Sequence, residues 1–239
     1  MSNLIKQFQT SQTTKLQLIC FPFAGGNAVS YNPLNNCLSR DINLFAIEPP
    51  GHGTNRMSLI EKFDSLVDIY LNELNSIITG DFALFGHSMG GLLTYRIAQR
   101  LEQQKLYPKA IIISAARPPQ IGYEDLDHLN DNDFINYLVS LGGISSEFLR
   151  EKELLEYFLP IFRADYRALK SFDHTDHTII ESPVHIFNGR EDQFCFEKQF
   201  GWRKWAKQIK FYNFSGGHMY LLSNIEEVAK QIQMILKQE

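Results

Sequence analysis

Short runs of apolar residues recur along the chain, and segments with an apolar residue every three or four positions separate them. The runs predict strands buried on both faces, because a strand with one exposed face would alternate apolar and polar residues. The predicted strands cover residues 16–21, 43–47, 82–85, 110–113, 184–188 and 209–214, with a short edge strand at 4–9.

The segments between these runs predict helices. The clearest covers residues 63–78, where Phe63, Leu66, Tyr70 and Leu74 share one face. Further helices are predicted at 31–38, 92–101, 200–207 and 224–237. Because strands alternate with helices, the fold class is α/β, with a mostly parallel central sheet covered by helices on both faces.

The alternation stops between residues 117 and 181. This segment has no good strand pattern, and it predicts helices at 132–141, 146–159 and 161–172. Gly142 and Gly143 separate the first helix from the second, and Pro160 separates the second from the third. We therefore predict a single domain over residues 1–239, with a helical lid inserted at about 117–181.

Composition narrows the function classes. The 239 residues are enough for one α/β domain with a sizeable core. The net charge of −4 gives no electrostatic reason to bind nucleic acid, and mixed charges favour a monomer. Cys20, Cys37 and Cys195 show no C-x-x-C spacing, which indicates reduced thiols in a cytoplasmic protein. Residues 1–15 lack an apolar signal core and no stretch is long enough to span a membrane, so we expect no membrane contact.

The most informative stretch is residues 82–91, which read Phe-Ala-Leu-Phe-Gly-His-Ser-Met-Gly-Gly. A predicted strand ends here in G-x-S-x-G and a helix follows at once, which is the context of a nucleophile elbow. The tight turn at Ser88 requires small residues two before and two after it, and Gly86 and Gly90 fill those places. A chance G-x-S-x-G in a loop would lack the flanking strand and helix, so Ser88 is the predicted nucleophile.

A serine nucleophile needs a histidine base, and an acid must orient that histidine. On this type of fold the three residues occur along the chain in the order serine, acid, histidine. His218 comes after the last predicted strand and two glycines, and a plain surface histidine is the alternative. The acid should lie at the carboxyl end of a strand between Ser88 and His218. Asp192, after the predicted strand at 184–188, is the choice, and Glu191 is the alternative acid. A purely turn-forming role of Asp192 is the other explanation, because Asp is common in turns. Weaker candidates lie in a strand or in the inserted segment: His174, His177, His185, Asp165 and Asp173.

The oxyanion hole needs two N–H donors. One would come from Met89, directly after the nucleophile, and the other from the loop after the first confident strand, where we favour Ala24. A simple glycine turn is an equally good explanation of that loop taken alone. Metal binding is not expected, because His174-x-x-His177 has neither the spacing nor the Glu of H-E-x-x-H.

Several motifs together resemble one family. They are Phe21-Pro22-Phe23-Ala24-Gly25-Gly26, Pro49-Pro50-Gly51-His52-Gly53, Gly86-His87-Ser88-Met89-Gly90-Gly91, Arg163-Ala164-Asp165-Tyr166, Gly189-Arg190-Glu191-Asp192 and Gly216-Gly217-His218. In this order the chain resembles the type II, or external, thioesterases of nonribosomal peptide and polyketide synthetases, notably those of the surfactin type. The first motif and the Arg-Ala-Asp-Tyr segment make the resemblance specific.

The resemblance implies an α/β-hydrolase fold with a helical lid, and hydrolysis of acyl groups held as thioesters on the 4′-phosphopantetheine arm of carrier proteins. It places Ser88, Asp192 and His218 on the family triad, and Met89 and Ala24 on its oxyanion donors. It implies no cofactor of the enzyme's own and transient contact with acyl or peptidyl carrier domains.

The chain departs from the family pattern at Phe23, where Tyr or His is common, and at 170–171, where an acidic residue is frequent. These differences leave the acyl preference open. Two other functions remain: an esterase using the same triad, and a carrier-protein binding module without catalysis.

Overall fold

The computed structural model describes residues 4–8, 16–144 and 148–238. Its strands are β1 (Ile5–Gln7), β2 (Leu16–Phe21), β3 (Ile42–Ile47), β4 (Asp81–His87), β5 (Ala110–Ser114), β6 (Val184–Gly189) and β7 (Ile209–Phe214). They form one sheet in the order β1-β3-β2-β4-β5-β6-β7. Only β1 is antiparallel to its neighbour within this described sheet, so the predicted mostly parallel sheet is confirmed. Residue 9 of the predicted edge strand lies outside the described residues.

The helices follow the predicted positions closely outside the inserted segment. They are α1 (Asn32–Cys37), α2 (Phe63–Ile77), α3 (Met89–Gln103), α4 (Asp131–Ser140), α5 (Lys152–Lys170), α6 (Tyr220–Ser223) and α7 (Ile225–Gln238). Short 3-10 helices cover Ala28–Tyr31, Phe148–Arg150 and Gln199–Lys204. The predicted helix at 200–207 is therefore a 3-10 turn and ends earlier than expected.

The sheet separates two apolar cores. Successive strand residues point to opposite faces, so Leu84 joins the core under α2 and α3, whereas Ala83 and Phe85 join the core under α1 and α7. Both faces of the central strands are thus buried, which explains their continuous apolar sequence. No helix in the described ranges is both long enough and apolar enough to cross a bilayer.

The segment between β5 and β6 packs on a small core of its own, made of Leu126, Phe134, Leu138 and Ile144. The last turns of α5 leave this core, and Ala168 and Leu169 join the main core instead. In the described part of the segment the only β contact is an isolated bridge from Ile180 to Ala206.

The predicted helix break at Pro160 is wrong, because α5 runs through it from Lys152 to Lys170. Proline has no N–H to bond the carbonyl of Glu156, but both residues lie on the exposed side of the helix. The adjacent side of the helix buries Ile161 and Ala164, and this packing maintains the helix. Residues 146 and 147 of the predicted second helix lie outside the described residues.

Candidate active site

Ser88 lies at a sharp turn between β4 and α3. Its φ of +55° is in a region that side-chain-bearing residues rarely adopt, and its N–H donates to the carbonyl of Ser114 at 2.8 Å. A Cβ at Gly86 would overlap the carbonyl of Gly90, and a Cβ at Gly90 would overlap the carbonyl of Phe21. Both glycines are therefore required by close backbone contacts around the turn.

The structure brings Ser88, His218 and Asp192 together. The Nε2 atom of His218 lies 2.8 Å from the Oγ atom of Ser88, and its Nδ1 atom lies 2.8 Å from Oδ2 of Asp192. A carboxylate only accepts, so Nδ1–H donates to Asp192 and Nε2 is left to accept from the serine hydroxyl. The three residues follow β4, β6 and β7, whose carboxyl ends meet at one edge of the sheet. This arrangement can remove a proton from Ser88.

Asp192 is buried and held by the backbone of its own loop. Its Oδ1 atom accepts from the N–H groups of Phe194 at 2.8 Å and Cys195 at 3.2 Å. Burial alone would raise the pKa of the Asp192 carboxyl, but the bonds from His218 and these amides hold that pKa below its ordinary value. The alternative acid, Glu191, is exposed, and Asp192 is the one that bonds His218.

The predicted oxyanion donors are on two different elements. Met89 is the first residue of α3, and Ala24 lies in the loop after β2. Among the hydrogen bonds of the described residues, none uses the N–H of Ala24 or Met89. Both donors are therefore available to a ligand, and their role in stabilising an oxyanion stays a prediction.

The weaker sequence candidates lie elsewhere. His185 is buried in β6 beside Tyr212, and burial followed by the charge of Lys210 lowers its pKa to about 4. His174 and His177 pack against Trp205, with ring centroids 4.3 and 5.7 Å away. Asp165 bonds His52 rather than His218.

A second chain of buried polar groups lies beneath the triad, and the sequence reasoning missed it. His87 bonds the Ser114 hydroxyl at 2.8 Å, and Ser114 bonds the hydroxyl of Tyr220 at 2.6 Å. Burial, and then the charge of His218, lowers the pKa of His87 to about 3, so this ring is neutral. The motif displays His87, but no spacing signal identifies partners on β5 and α6.

A cavity of about 30 Å³ opens beside Ser88 and His218. Arg117 and the rings of Tyr123, Tyr137 and Tyr166 line it, and the Arg117 guanidinium lies 4.5 Å from the centre of the Tyr123 ring. Two aromatic residues on the helices of the inserted segment line this cavity, Tyr137 on α4 and Tyr166 on α5. Others belong to the small core of the segment or pack against it: Phe134, Phe148 and Phe162.

In the described ranges, one group of side chains has metal-ligand spacing: Asp192, Cys195 and His218, with ligand atoms within 4.8 Å of one another. Burial, and then the negative charge of Asp192, raises the pKa of the Cys195 thiol well above its ordinary value. A metal would also displace the hydrogen bond between Asp192 and His218. The residues therefore suit acid–base chemistry better than metal binding.

Known proteins resemble this chain over nearly its whole length. Residues 16–236 match the family model described as Thioesterase domain. The gramicidin S biosynthesis protein GrsT of Aneurinibacillus migulanus is 28% identical over 236 residues, which cover 95% of this chain and 92% of GrsT.

Solved structures agree with this assignment. The type II thioesterase BorB from the borrelidin biosynthetic cluster has a TM-score of 0.90 and 28% identity, with 99% of each chain covered. YbtT, a type II thioesterase from the yersiniabactin NRPS/PKS pathway, has a TM-score of 0.85 and 26% identity, with 96% of each chain covered. The predicted resemblance and fold are confirmed: the chain belongs to the thioesterase domain family and has the α/β-hydrolase fold of the type II thioesterases from nonribosomal peptide and polyketide biosynthesis.

Proposed function

We propose that this protein is a serine thioesterase that hydrolyses acyl groups from 4′-phosphopantetheine thioesters on carrier proteins. It would remove misprimed or stalled acyl groups and so regenerate a nonribosomal peptide or polyketide synthetase. The observation that carries this proposal is the hydrogen-bonded set Ser88, His218 and Asp192 in a chain whose relatives are type II thioesterases.

The first half of the reaction forms an acyl-enzyme. His218 takes the proton of Ser88 as its Oγ atom attacks the thioester carbonyl, and Asp192 stabilises the imidazolium that forms. The N–H groups of Ala24 and Met89 would bind the oxyanion, where one donor is worth about 3 kcal/mol of transition-state stabilisation. The C–S bond then breaks, and the pantetheine thiolate takes the proton from His218.

The second half releases the acid. His218 removes a proton from water, the hydroxide attacks the acyl carbonyl, and the bond to Ser88 breaks as its oxygen recovers the proton. Every proton passes through His218, so the route needs no cofactor from the enzyme. The only prosthetic group in the proposal is the phosphopantetheine of the substrate.

The segment at about 117–181 would act as a lid over this site. It contributes Arg117, Tyr123, Tyr137 and Tyr166 to the cavity beside Ser88, so its position would control the space for the acyl group. Carrier domains would be its transient partners. A monomeric state and a cytoplasmic location stay predictions, the latter supported by the free thiols of Cys20, Cys37 and Cys195.

The test is hydrolysis of an acetyl-phosphopantetheinyl carrier protein by the wild type and by Ser88→Ala. We expect the wild type to release acetate and the variant to lose at least about 10⁴-fold in kcat, because no other group can form the acyl-enzyme. The variant should unfold in urea like the wild type. Turnover retained by the purified, folded variant would reject Ser88 as the nucleophile.

Two further results would favour the other functions. Cleavage of a nitrophenyl ester without cleavage of the carrier-bound thioester would favour a small-molecule esterase. Binding of the carrier protein without labelling of Ser88 by a fluorophosphonate would favour a non-catalytic binding module.

A further inference from the structure

The inserted segment directly contacts the loop that carries Ala24. The N–H of the next residue, Gly25, donates to Oδ2 of Asp165 on α5 at 2.7 Å. Gly25 has a φ of +75°, and a Cβ there would overlap the ring of Phe162, one turn earlier on the same helix. The loop is therefore seated on α5 by one charged hydrogen bond and one ring contact.

Asp165 has a second buried partner on the same oxygen. Nε2 of His52 lies 3.0 Å from Oδ2 of Asp165, while Nδ1 of His52 lies 2.9 Å from the carbonyl of Pro50. A carbonyl only accepts, so Nδ1 carries a proton, and the contact with the carboxylate requires a second proton on Nε2. Burial alone would lower the pKa of His52, but the charge and hydrogen bond of Asp165 raise it above its ordinary value. The geometry describes a buried imidazolium–carboxylate pair.

The other side of the same loop region rests on a different carboxylate. Glu48, directly after β3, is buried and accepts from the N–H groups of Ala28 at 2.9 Å and Thr54 at 2.8 Å. Glu48 belongs to the sheet layer, whereas Asp165 belongs to the inserted segment. The hydrogen bond from Gly25 to Asp165 is thus the point where the inserted segment, and not the sheet, supports the loop after β2.

We propose that Asp165 is a positioning residue for the oxyanion hole: held by His52, it fixes Gly25 and thereby aims the N–H of Ala24 at the reacting carbonyl. The inference rests on the proposed serine hydrolase mechanism. It couples the seating of α5 to the completeness of the hole, so the catalytic donor is fully placed only when the inserted segment is packed against the core.

The chemistry of the pair supports positioning over simple packing. Replacing a buried ion pair by apolar residues is often neutral or stabilising, so such a pair adds little net stability. A carboxylate that accepts from both His52 and Gly25 does define the direction of both donors, because charged hydrogen bonds are short and directional. The hydrogen bond from Gly25 to Asp165 therefore orients the backbone next to the Ala24 N–H, and its effect is on the geometry of the oxyanion hole.

The test uses Asp165→Asn, which keeps the size of the side chain and removes its charge. Activity is measured on a nitrophenyl acetate ester after titration of active sites, so that unfolded protein does not count. We expect kcat to fall by about tenfold to a hundredfold, less than the 10²–10³ typical for removing a donor, since the Ala24 N–H remains. KM should stay within about twofold, because the ground state does not use the hole.

A second readout separates positioning from stability. A trifluoromethyl ketone analogue of acyl-pantetheine adds Ser88 to its carbonyl and places a true oxyanion in the hole. Its inhibition constant should rise by the same factor by which kcat falls. The matched control is Asp131→Asn on α4, which breaks the exposed pair with Arg163 without touching the loop; both quantities should stay within about twofold of the wild type.

An unchanged kcat in folded Asp165→Asn, or a lower kcat with an unchanged inhibition constant, would overturn the inference. If Asp165→Asn does not fold, His52→Gln carries the test, with parallel changes of about threefold to tenfold expected and unchanged values contradicting the proposal. If the wild type itself neither cleaves the ester nor reacts with the ketone, the proposed function fails instead.

Discussion

Single backbone atoms decide whether Ser88 can sit where it does. The positive φ of Ser88 stores strain, and such strain persists only where the surroundings determine it from several sides. Here the N–H of Ser88 is bonded to β5, and its carbonyl accepts from Gly91 at 2.9 Å in the first turn of α3. The nucleophile is thus held by the sheet and the helix together.

Gly90→Ala tests this crowding. The new Cβ would overlap the carbonyl of Phe21, which is backbone and cannot rotate away. We expect a loss of more than about 3 kcal/mol in the free energy of unfolding, or no folded protein, with loss of hydrolysis. Urea unfolding measures the change.

The control for this prediction is Gly122→Ala, because a Cβ at Gly122 meets nothing within 4 Å among the described atoms. This variant should stay within about 0.5 kcal/mol of the wild type, as is usual for an exposed change. A Gly90→Ala protein as stable as Gly122→Ala would show that α3 can shift away from β2 without cost.

Among the elements, α5 carries ion pairs on one side and apolar contacts on another. Its outer face carries Arg163, paired with Asp131 at 2.6 Å, and Arg167, paired with Glu61 and Asp127 at 2.8 Å. These exposed pairs contribute little to stability individually. Its inner face carries the apolar contacts. Packing of these apolar residues therefore keeps α5 helical at Pro160.

Pro160→Ala measures what that proline costs. The substitution restores a backbone hydrogen bond in the interior of α5, so we expect the free energy of unfolding to rise by about 1–3 kcal/mol. The matched control is Pro33→Ala in the first turn of α1, where the N–H has no helical partner and no such gain is expected. Equal effects of the two substitutions would indicate that α5 is interrupted at residue 160 in solution.

For the whole molecule, buried neutral histidines predict how stability depends on pH. Burial holds the pKa of His87 at about 3 and that of His185 at about 4, whereas an unfolded histidine has a pKa of about 6.5. Below about pH 6.5 the unfolded chain therefore binds protons that the folded chain does not. As the pH falls below this value, each of the two histidines lowers the free energy of unfolding by up to about 1.4 kcal/mol per pH unit. The decrease ends when the pH reaches the pKa of that histidine in the folded protein.

Urea unfolding at pH 7, 6 and 5 checks this dependence. His185→Gln cannot be protonated, so its stability should fall less steeply with decreasing pH than that of the wild type. His128→Gln, at an exposed position, should keep the wild-type slope. Parallel slopes for all three proteins would contradict a neutral, buried His185.

Much of the protein was predictable because the signals are local. Strand and helix periodicity indicated the α/β architecture, and the glycines around Ser88 indicated the elbow, since both patterns arise from neighbouring residues. Chain order after the strands selected Asp192 and His218, because parallel strands end at one edge of the sheet. The motifs in order indicated the family.

Contacts between distant segments were decided only by the tertiary structure. From the sequence, Asp165 is only a weak candidate for the acid of the triad. In the structure α5 places it beside Gly25, which is 140 residues earlier in the chain. Pro160 predicted a helix end, because local propensity cannot include the packing of the buried residues around it, such as Ile161 and Ala164. His87 had no visible partner until the fold placed Ser114 of β5 beside it, and Tyr220 of α6 beside Ser114. Local patterns therefore determined the elements and the reacting groups, whereas packing determined which distant groups hold them in place.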